Sequence, residues 1–436
     1  MGEPRSVTTG ETGDGMKAFI PMAESGEESK GPAVICFGFH PWSEMWKRNQ
    51  SMMYHLSLRP DVGRVVFVNP GVWLTDLLFG RGRARFELGS LTRDAIASRR
   101  IGEKLTVMTP LHWFPLSRSF PPFSRLDVAV VSGRIRRAVG SDDYVAVVNS
   151  VDGGMEPIID RVLKDASAVV FDWSDDFAEF YRDAESRSEV ERLCRKYIRR
   201  ADLVLAVNEH LAARARPLNP SSHVLINATN FPVMDRLPRG IVERRPPDWV
   251  KTPGPVVGYM GWINEQRMDL DILDALTRRL SDWSFVFVGP LVFRPENRRA
   301  KEIFERPNVR LVPPVPFSEL PAHLERFDVC ILPFLINDHT RGNDPIKIYD
   351  YFAFGKPVVS TRTAGIERVE RAVRIAADAG EFVAMVEQAA SGDTQRNLRL
   401  SIASENAWPV RVDALMRLLR KRMPSPAGSS GVPGNH

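Results

Sequence analysis

Short unbroken apolar runs alternate along this chain with longer stretches of helical character, and that alternation leaves few folds open. Ala33–Phe37, Val65–Val68, Leu105–Met108, Tyr144–Val148, Ala168–Phe171, Leu203–Val207 and Val224–Ile226 form a first series. Val256–Met260, Phe285–Val288, Val309–Leu311, Val329–Leu332 and Pro357–Ser360 form a second. A strand with one wet face alternates polar and apolar residues, whereas a run apolar throughout belongs to a sheet covered on both faces. With helical stretches between the runs, the strands are parallel. Two series in succession predict two doubly wound α/β domains facing across a cleft. A chain of 436 residues is also too long for one ordinary core.

The boundaries follow composition. Residues 1–30, rich in Gly, Glu, Ser and Thr without periodicity, read as a disordered leader. The first domain takes 31–235, with a polar and aromatic helix from about Ser43 to Leu58. The linker is placed at 236–254, within a proline- and arginine-rich stretch. The second domain takes 255–396, a helical segment 397–423, and a Pro/Gly/Ser-rich disordered tail 424–436. Pro409 should break that last helical segment in two.

Hydrophobic content of 43% and charged content of 26% are those of a soluble globular protein. No apolar run reaches the roughly 18 residues of a membrane span, and the N-terminus does not resemble a secretion signal. Cys36, Cys194 and Cys330 are too few and too scattered for a disulfide framework or a zinc site, and fit a reducing cytoplasm. The net charge of +5, carried mostly by arginine, suits phosphate-bearing partners without choosing among them.

In such sheets ligands bind beyond the carboxyl ends of the strands, so chemistry is sought there. Asn343-Asp344-Pro345 reads as a helix start, with Asn343 or Asp344 as cap and Pro345 in the first turn. Gly355 and Pro357 stop the helix. Lys347 and Asp350 fall on one face of it. A helix N-terminus with Lys347 one turn in can hold a phosphate, and Asp350 can accept from sugar hydroxyls; a solvated ion pair is the plainer alternative. Gly258 and Gly261 allow close backbone approach, and Arg267 follows at the mouth of the cleft, suited to a diphosphate, or is only a solvent-facing arginine in a strand-to-helix turn. No G-x-G-x-x-G occurs, which disfavours a nicotinamide enzyme. Gly289-Pro290, Phe317–Pro321 and Leu332–Phe334 are candidate walls for a base and a sugar, or only turns. In the first half, Asp152 and the loop Asp172–Asp176, with Asp175 and Asp176, supply candidate general bases; each acid also suits a helix cap or a solvated loop. Asp269 and Asp271 begin an amphipathic helix, where acids favour the dipole, and no obligatory metal is expected. The stretch Leu111–Arg125, with Arg81, Arg83, Arg85, Arg99, Arg100, Arg134, Arg136 and Arg137, suits an anionic membrane surface or packs on its own domain. No nucleic-acid-binding module accompanies these arginines.

Several stretches, in order and spacing over about 150 residues, resemble the donor domain of GT-B glycosyltransferases of retaining family four. They are Val256–Gly261, Phe285–Gly289, Asn308–Leu311, Leu320–Leu324, Asp328–Pro333 and Tyr349–Val359. Ala201–Asn208 and Ile226–Phe231 are similar to the family's last first-domain strands. Trp42, Trp46, Arg48, Gly258-Tyr259 and Met268–Leu270 resemble most a branch that builds bacterial cell-surface polysaccharides, including the teichuronic-acid type.

The resemblance implies an acceptor-side first domain, a nucleotide-sugar donor domain and a C-terminal helix returning to the first domain. It implies transfer of a sugar from a nucleoside diphosphate, UDP- or GDP-linked, to a glycan or lipid-linked glycan hydroxyl, with retention. The enzyme would work in the cytoplasm or on the inner face of the membrane. Asp350 matches the second glutamate of the family's E-x7-E signature, the ribose anchor, in shortened form, and Arg267 matches the diphosphate-binding basic residue. Trp262 stands where the family has an arginine. Gly342 stands at the first glutamate, with Asn343, Asp344 or Lys347 as candidates to take over. Asp152 stands in a loop where the family often has a histidine. These departures leave open an inverting outcome, a nucleotide-sugar epimerase of the same architecture, or a catalytically silent partner protein.

Overall fold

The computed structural model describes residues 31–43, 46–74, 98–112, 121–181, 183–231, 247, 249, 254–337, 340 and 344–422. The proposed leader and tail, and most of the proposed linker, lie outside the described residues, as do Arg81, Arg83, Arg85 and residues 113–120.

The first domain is built on strands β1 (Ala33–Phe37), β2 (Val65–Val68), β4 (Arg99–Ile101), β5 (Leu105–Met108), β7 (Tyr144–Val148), β8 (Ala168–Trp173), β9 (Leu203–Ala206) and β10 (Ser222–Val224). The ribbon β3 (Val72–Trp73) with β6 (Leu111–His112) stands apart. The large sheet runs β10-β9-β8-β7-β1-β2-β5-β4, parallel except where β4 meets β5. The second domain has β11 (Val256–Met260), β13 (Ser284–Val288), β15 (Val309–Val312), β16 (Val329–Leu332), β17 (Val358–Thr361) and β18 (Arg374–Ala376). Its order is β15-β13-β11-β16-β17-β18, all parallel, beside a small ribbon of β12 (Ile263–Asn264) and β14 (Leu291–Val292).

The unbroken apolar runs now have their reason. Successive side chains of a strand point to opposite faces, and both faces of the first sheet are covered. Ala33, Ile35 and Phe37 of β1 enter one core with Tyr144, Ala146 and Val148 of β7. Val34 and Cys36 enter another with Val145 and Val147. The second core contains Trp408, Val412, Leu415 and Leu419 from the last helix, Trp408–Arg420, which packs against the helix Arg48–Ser57. The chain therefore crosses to the second domain and returns to cover the first.

Two local expectations are corrected. The first helix starts at Arg48 rather than Ser43, where the Lys47 N–H is held by Gln50 Oε1. The last helical segment is in two pieces as expected, Arg396–Glu405 and Trp408–Arg420; the break lies just before Pro409, which sits in the first turn of the second helix, where its missing N–H costs nothing. Pro345 caps the helix Ile346–Ala353 from outside, at ψ 97°, and Asp344 makes no cap hydrogen bond. Gly355, at φ 67°, closes that helix as expected.

Candidate functional site

The carboxyl ends of β1, β8, β11, β13 and β16 point into a cleft of about 760 Å³ between the two domains. On the second-domain side, β11 ends at Gly261, at φ 127°, and β13 ends at Gly289, at φ 137°. A Cβ on Gly289 would stand 2.3 Å from the Gly261 carbonyl oxygen; one on Gly261 would stand 1.8 Å from Lys347 Cε. Two backbones and a lysine stem thus cross where only hydrogen atoms fit. Lys347 lies over the tip of β11 because Gly261 leaves room for it.

Lys347 and Asp350 both line the cleft from the helix Ile346–Ala353. Among the described residues Lys347 has no hydrogen-bonded or ion-paired partner. Burial, then the charge of Arg267, pushes its ammonium down to about 7. Asp350 accepts a 2.7 Å hydrogen bond from Thr229 Oγ1, and burial raises its carboxyl to about 7 despite that bond. Arg267 lines the same cleft with its guanidinium 5.7 Å over the Phe334 ring, and its Nε is buried without a partner. Opposite, Asp175 lines the first-domain wall; burial raises its carboxyl to about 6, against the pull of Arg267.

The remaining predicted residues are dispersed. Asp344 is buried and borders the cleft, but its carboxylate is occupied: the Asn227 N–H donates to it at 2.8 Å and Arg368 Nη1 at 3.2 Å. The Asn227 side-chain amide also donates to the Asp344 carbonyl at 2.6 Å, so Asp344 ties the domains together. Asp176 pairs with Arg214 and does not line the cleft. Asp152 is exposed, accepts the Gly154 N–H at 2.8 Å, and is not brought to the cleft. Asn343, like Gly342, lies outside the described residues. Asp269 caps its helix and Asp271 pairs with Arg299. Among the described residues no group of three or more His, Cys, Asp or Glu is placed to hold a metal ion.

The walls are largely apolar. Val315, Phe317 and Leu320 face the cleft, with Phe317 stacked on Phe231 at 4.6 Å and on Trp46 at 5.6 Å between ring centroids. Trp262, 42% exposed, stands on the rim. The contribution of Asn227, Thr229 and Asn230 was missed in the sequence. The polar run Asn227-Ala228-Thr229-Asn230 after the last first-domain strand was the available signal, because residues beyond strand ends line such clefts.

Residues 254–391 match the model of the family described as Glycosyl transferases group 1. HepE of Anabaena, solved in complex with UDP and glucose, superposes with a TM-score of 0.59 at 14% identity over 89% of this chain and 100% of that one. Sucrose-phosphate synthase from Thermosynechococcus elongatus gives 0.60 at 12% identity over 89% of this chain and 98% of that one. The chain has the GT-B fold. Its second domain is similar to the glycosyl transferases group 1 family over residues 254–391. A Bacillus subtilis (strain 168) protein described as a teichuronic acid biosynthesis glycosyltransferase, TuaH, is 26% identical over 162 residues. That match covers 36% of this GT-B chain and 40% of the relative, less than half of either.

Proposed function

We propose that this GT-B protein transfers a sugar from a nucleoside-diphosphate sugar to a hydroxyl of a glycan or lipid-linked glycan in surface polysaccharide biosynthesis. The observation that carries the reading is Lys347 and Asp350 one turn apart at the cleft, with Arg267 beside them. The helix N-terminus, Lys347 and Arg267 stabilise the departing diphosphate. Lys347 lies over the tip of β11, close to Trp262, and supplies charge where the family's arginine is missing. Asp350, steadied by Thr229, accepts from the ribose hydroxyls.

In the transfer the acceptor oxygen bonds to the anomeric carbon as the bond from that carbon to the diphosphate oxygen breaks. The acceptor proton goes either to the departing diphosphate, with the retention that the family resemblance implies, or to Asp175, with inversion. NMR of the product's anomeric configuration decides between these routes. The family match, the teichuronic-acid relative and the nucleotide held by HepE support the class of donor.

Thermal-shift titration with UDP, GDP, ADP and dTDP tests the reading. One nucleotide should stabilise the protein selectively, with UDP first in order, and Asp350→Ala should weaken its binding by about tenfold or more, as expected for loss of a charged hydrogen-bond acceptor. No stabilisation by any of the four would overturn the assignment. On the first domain, Leu126 (48% exposed) and Val130 (40%) lie on one helix with exposed Arg125 and Arg137, which supports contact with an anionic membrane surface. Sedimentation with phosphatidylglycerol liposomes checks it. Among the described residues no helix is long and apolar enough to cross a membrane.

A further inference from the structure

Among the described residues, the junction behind the cleft holds one positive charge more than its carboxylates match. Arg48 pairs with Asp172 at 2.9 Å, and Arg368 with Asp344 at 3.2 Å. Arg411, on the last helix, is a third guanidinium there. Its Nη2 donates to the neutral side-chain oxygen of Asn406, and among the described residues it forms no ion pair. Its Nε is shut off from water and has no hydrogen-bond partner among the described residues. Burial pulls this guanidinium below its ordinary value; Tyr349 and Asp344 act against that pull, and Arg48 and Arg368 add to it. Tyr349 reaches the same place from the helix Ile346–Ala353. It is fully buried, yet its hydroxyl also has no hydrogen-bond partner among the described residues. Burial pushes that hydroxyl up, Asp344 adds to the push, and Arg368 and Arg411 oppose it. Arg368 is thus near the oxygen without the geometry of a bond.

Both open groups can donate, and the Arg411 Nε–H can do nothing else. A buried donor left unmatched is costly, the more so on a charged group. The Asp344 carboxylate does not fill the need, since it already takes the Asn227 N–H and Arg368 Nη1. A water would satisfy one donor but leave the third guanidinium uncompensated. We propose that Arg411 and Tyr349 hold a chloride-sized inorganic anion. A monatomic anion accepts from any direction, so two donors and an unmatched positive charge suffice for it. A phosphate brings several acceptor oxygens, which two open donors would leave mostly unpaired. Neither Arg411 nor Tyr349 lines the cleft, so this site is distinct from the one that holds Lys347 and Arg267. The anion ties the helix that carries Lys347 and Asp350 to the helix that returns to the first domain.

This inference does not depend on the transferase reading. Full-length protein is melted at fixed pH and ionic strength while sodium gluconate, whose anion is too large for the site, is replaced stepwise by sodium chloride. The wild-type midpoint should rise, saturably, by about 2 °C more than that of Tyr349→Phe, which removes one oxygen and no bulk. Arg411→Met should lose the response as well, and Tyr349→Phe alone decides the matter if Arg411→Met does not fold. Lys347→Met, which removes a cation of the cleft, should keep the response in full. The same response to chloride in wild type and Tyr349→Phe overturns the proposal and gives the two donors to water. A response lost in Lys347→Met and kept in Tyr349→Phe also overturns it, because the anion then sits in the cleft.

Discussion

Lys347 and Asp350 are each held near neutrality by burial, so a ligand there changes their protonation in opposite directions. A diphosphate favours the charged ammonium, raises the Lys347 pKa above about 7 and takes up a proton. Ribose hydroxyls donating to Asp350 favour its carboxylate, lower its pKa below about 7 and release one. Calorimetry of UDP binding near neutral pH, in two buffers of different ionisation enthalpy, reads the difference. Asp350→Asn should move the linked proton number toward uptake, and Lys347→Met toward release. Identical proton numbers in wild type and both variants would remove these residues from the binding event. The position of this pair was legible in the sequence, since a spacing of three on a helix started by Asp-Pro and stopped by Gly puts both on one face. Asp152 and Asp176 were not separable from Asp175 by sequence. All three follow strand ends, and only tertiary partners, such as Arg214 for Asp176, show which of them line the cleft.

At the scale of elements, the junction of β11 with the helix Ile346–Ala353 depends on one missing methyl group. An alanine at 261 has to displace the Lys347 stem, a flexible side chain that can move, and to adopt φ 127°. That backbone costs of order 1–3 kcal/mol in stability. Gly261→Ala should therefore fold with a lowered midpoint but bind UDP as weakly as Lys347→Ala. The double variant should be no weaker than either alone, because both remove the same ammonium from its place. Additive losses in binding would mean that Gly261 serves the ligand directly. The strands were legible because both faces of each sheet are buried, which erases the polar alternation. The strands missed in the two large sheets, Arg99–Ile101 and Arg374–Ala376, sit at sheet edges, where no apolar run is needed, and the two-residue ribbon strands are too short to leave one. The start of the first helix was misjudged because Ser43–Trp46 shares its aromatic and polar character. Only the capping contact of Gln50 fixes the boundary.

Across the whole molecule, a chain of buried charges joins the domains behind the cleft. Asp172, fully buried, takes Arg48 through Nη2 at 2.9 Å and Nε at 3.1 Å, and Asn49 at 3.1 Å. Arg48 Nη1 donates to Asn227 at 3.2 Å, Asn227 holds Asp344, and Asp344 holds Arg368 in the second domain. Asp172 was read in sequence as part of a loop offering a base. The structure instead gives it to Arg48, a residue more than a hundred positions away that no local pattern reveals. Thr229 adds a second bridge, from the crossing segment to Asp350. Nucleotide binding and domain packing therefore share partners. Asp172→Ala leaves the Arg48 guanidinium buried without its carboxylate, a loss of about 3–5 kcal/mol. Denaturant unfolding should show the drop in midpoint. The pair Arg48→Met with Asp172→Leu should recover much of that stability, since an apolar pair of similar bulk replaces a desolvated one. It should not recover UDP affinity, because Asn227 loses its hold from the first domain and the Asp344 turn that leads into the Lys347 helix loosens with it. Asp172→Ala within about 1 kcal/mol of wild type would show that the buried pair is not a structural tie. Full UDP affinity in the apolar pair would show that the donor site is held by the second domain alone.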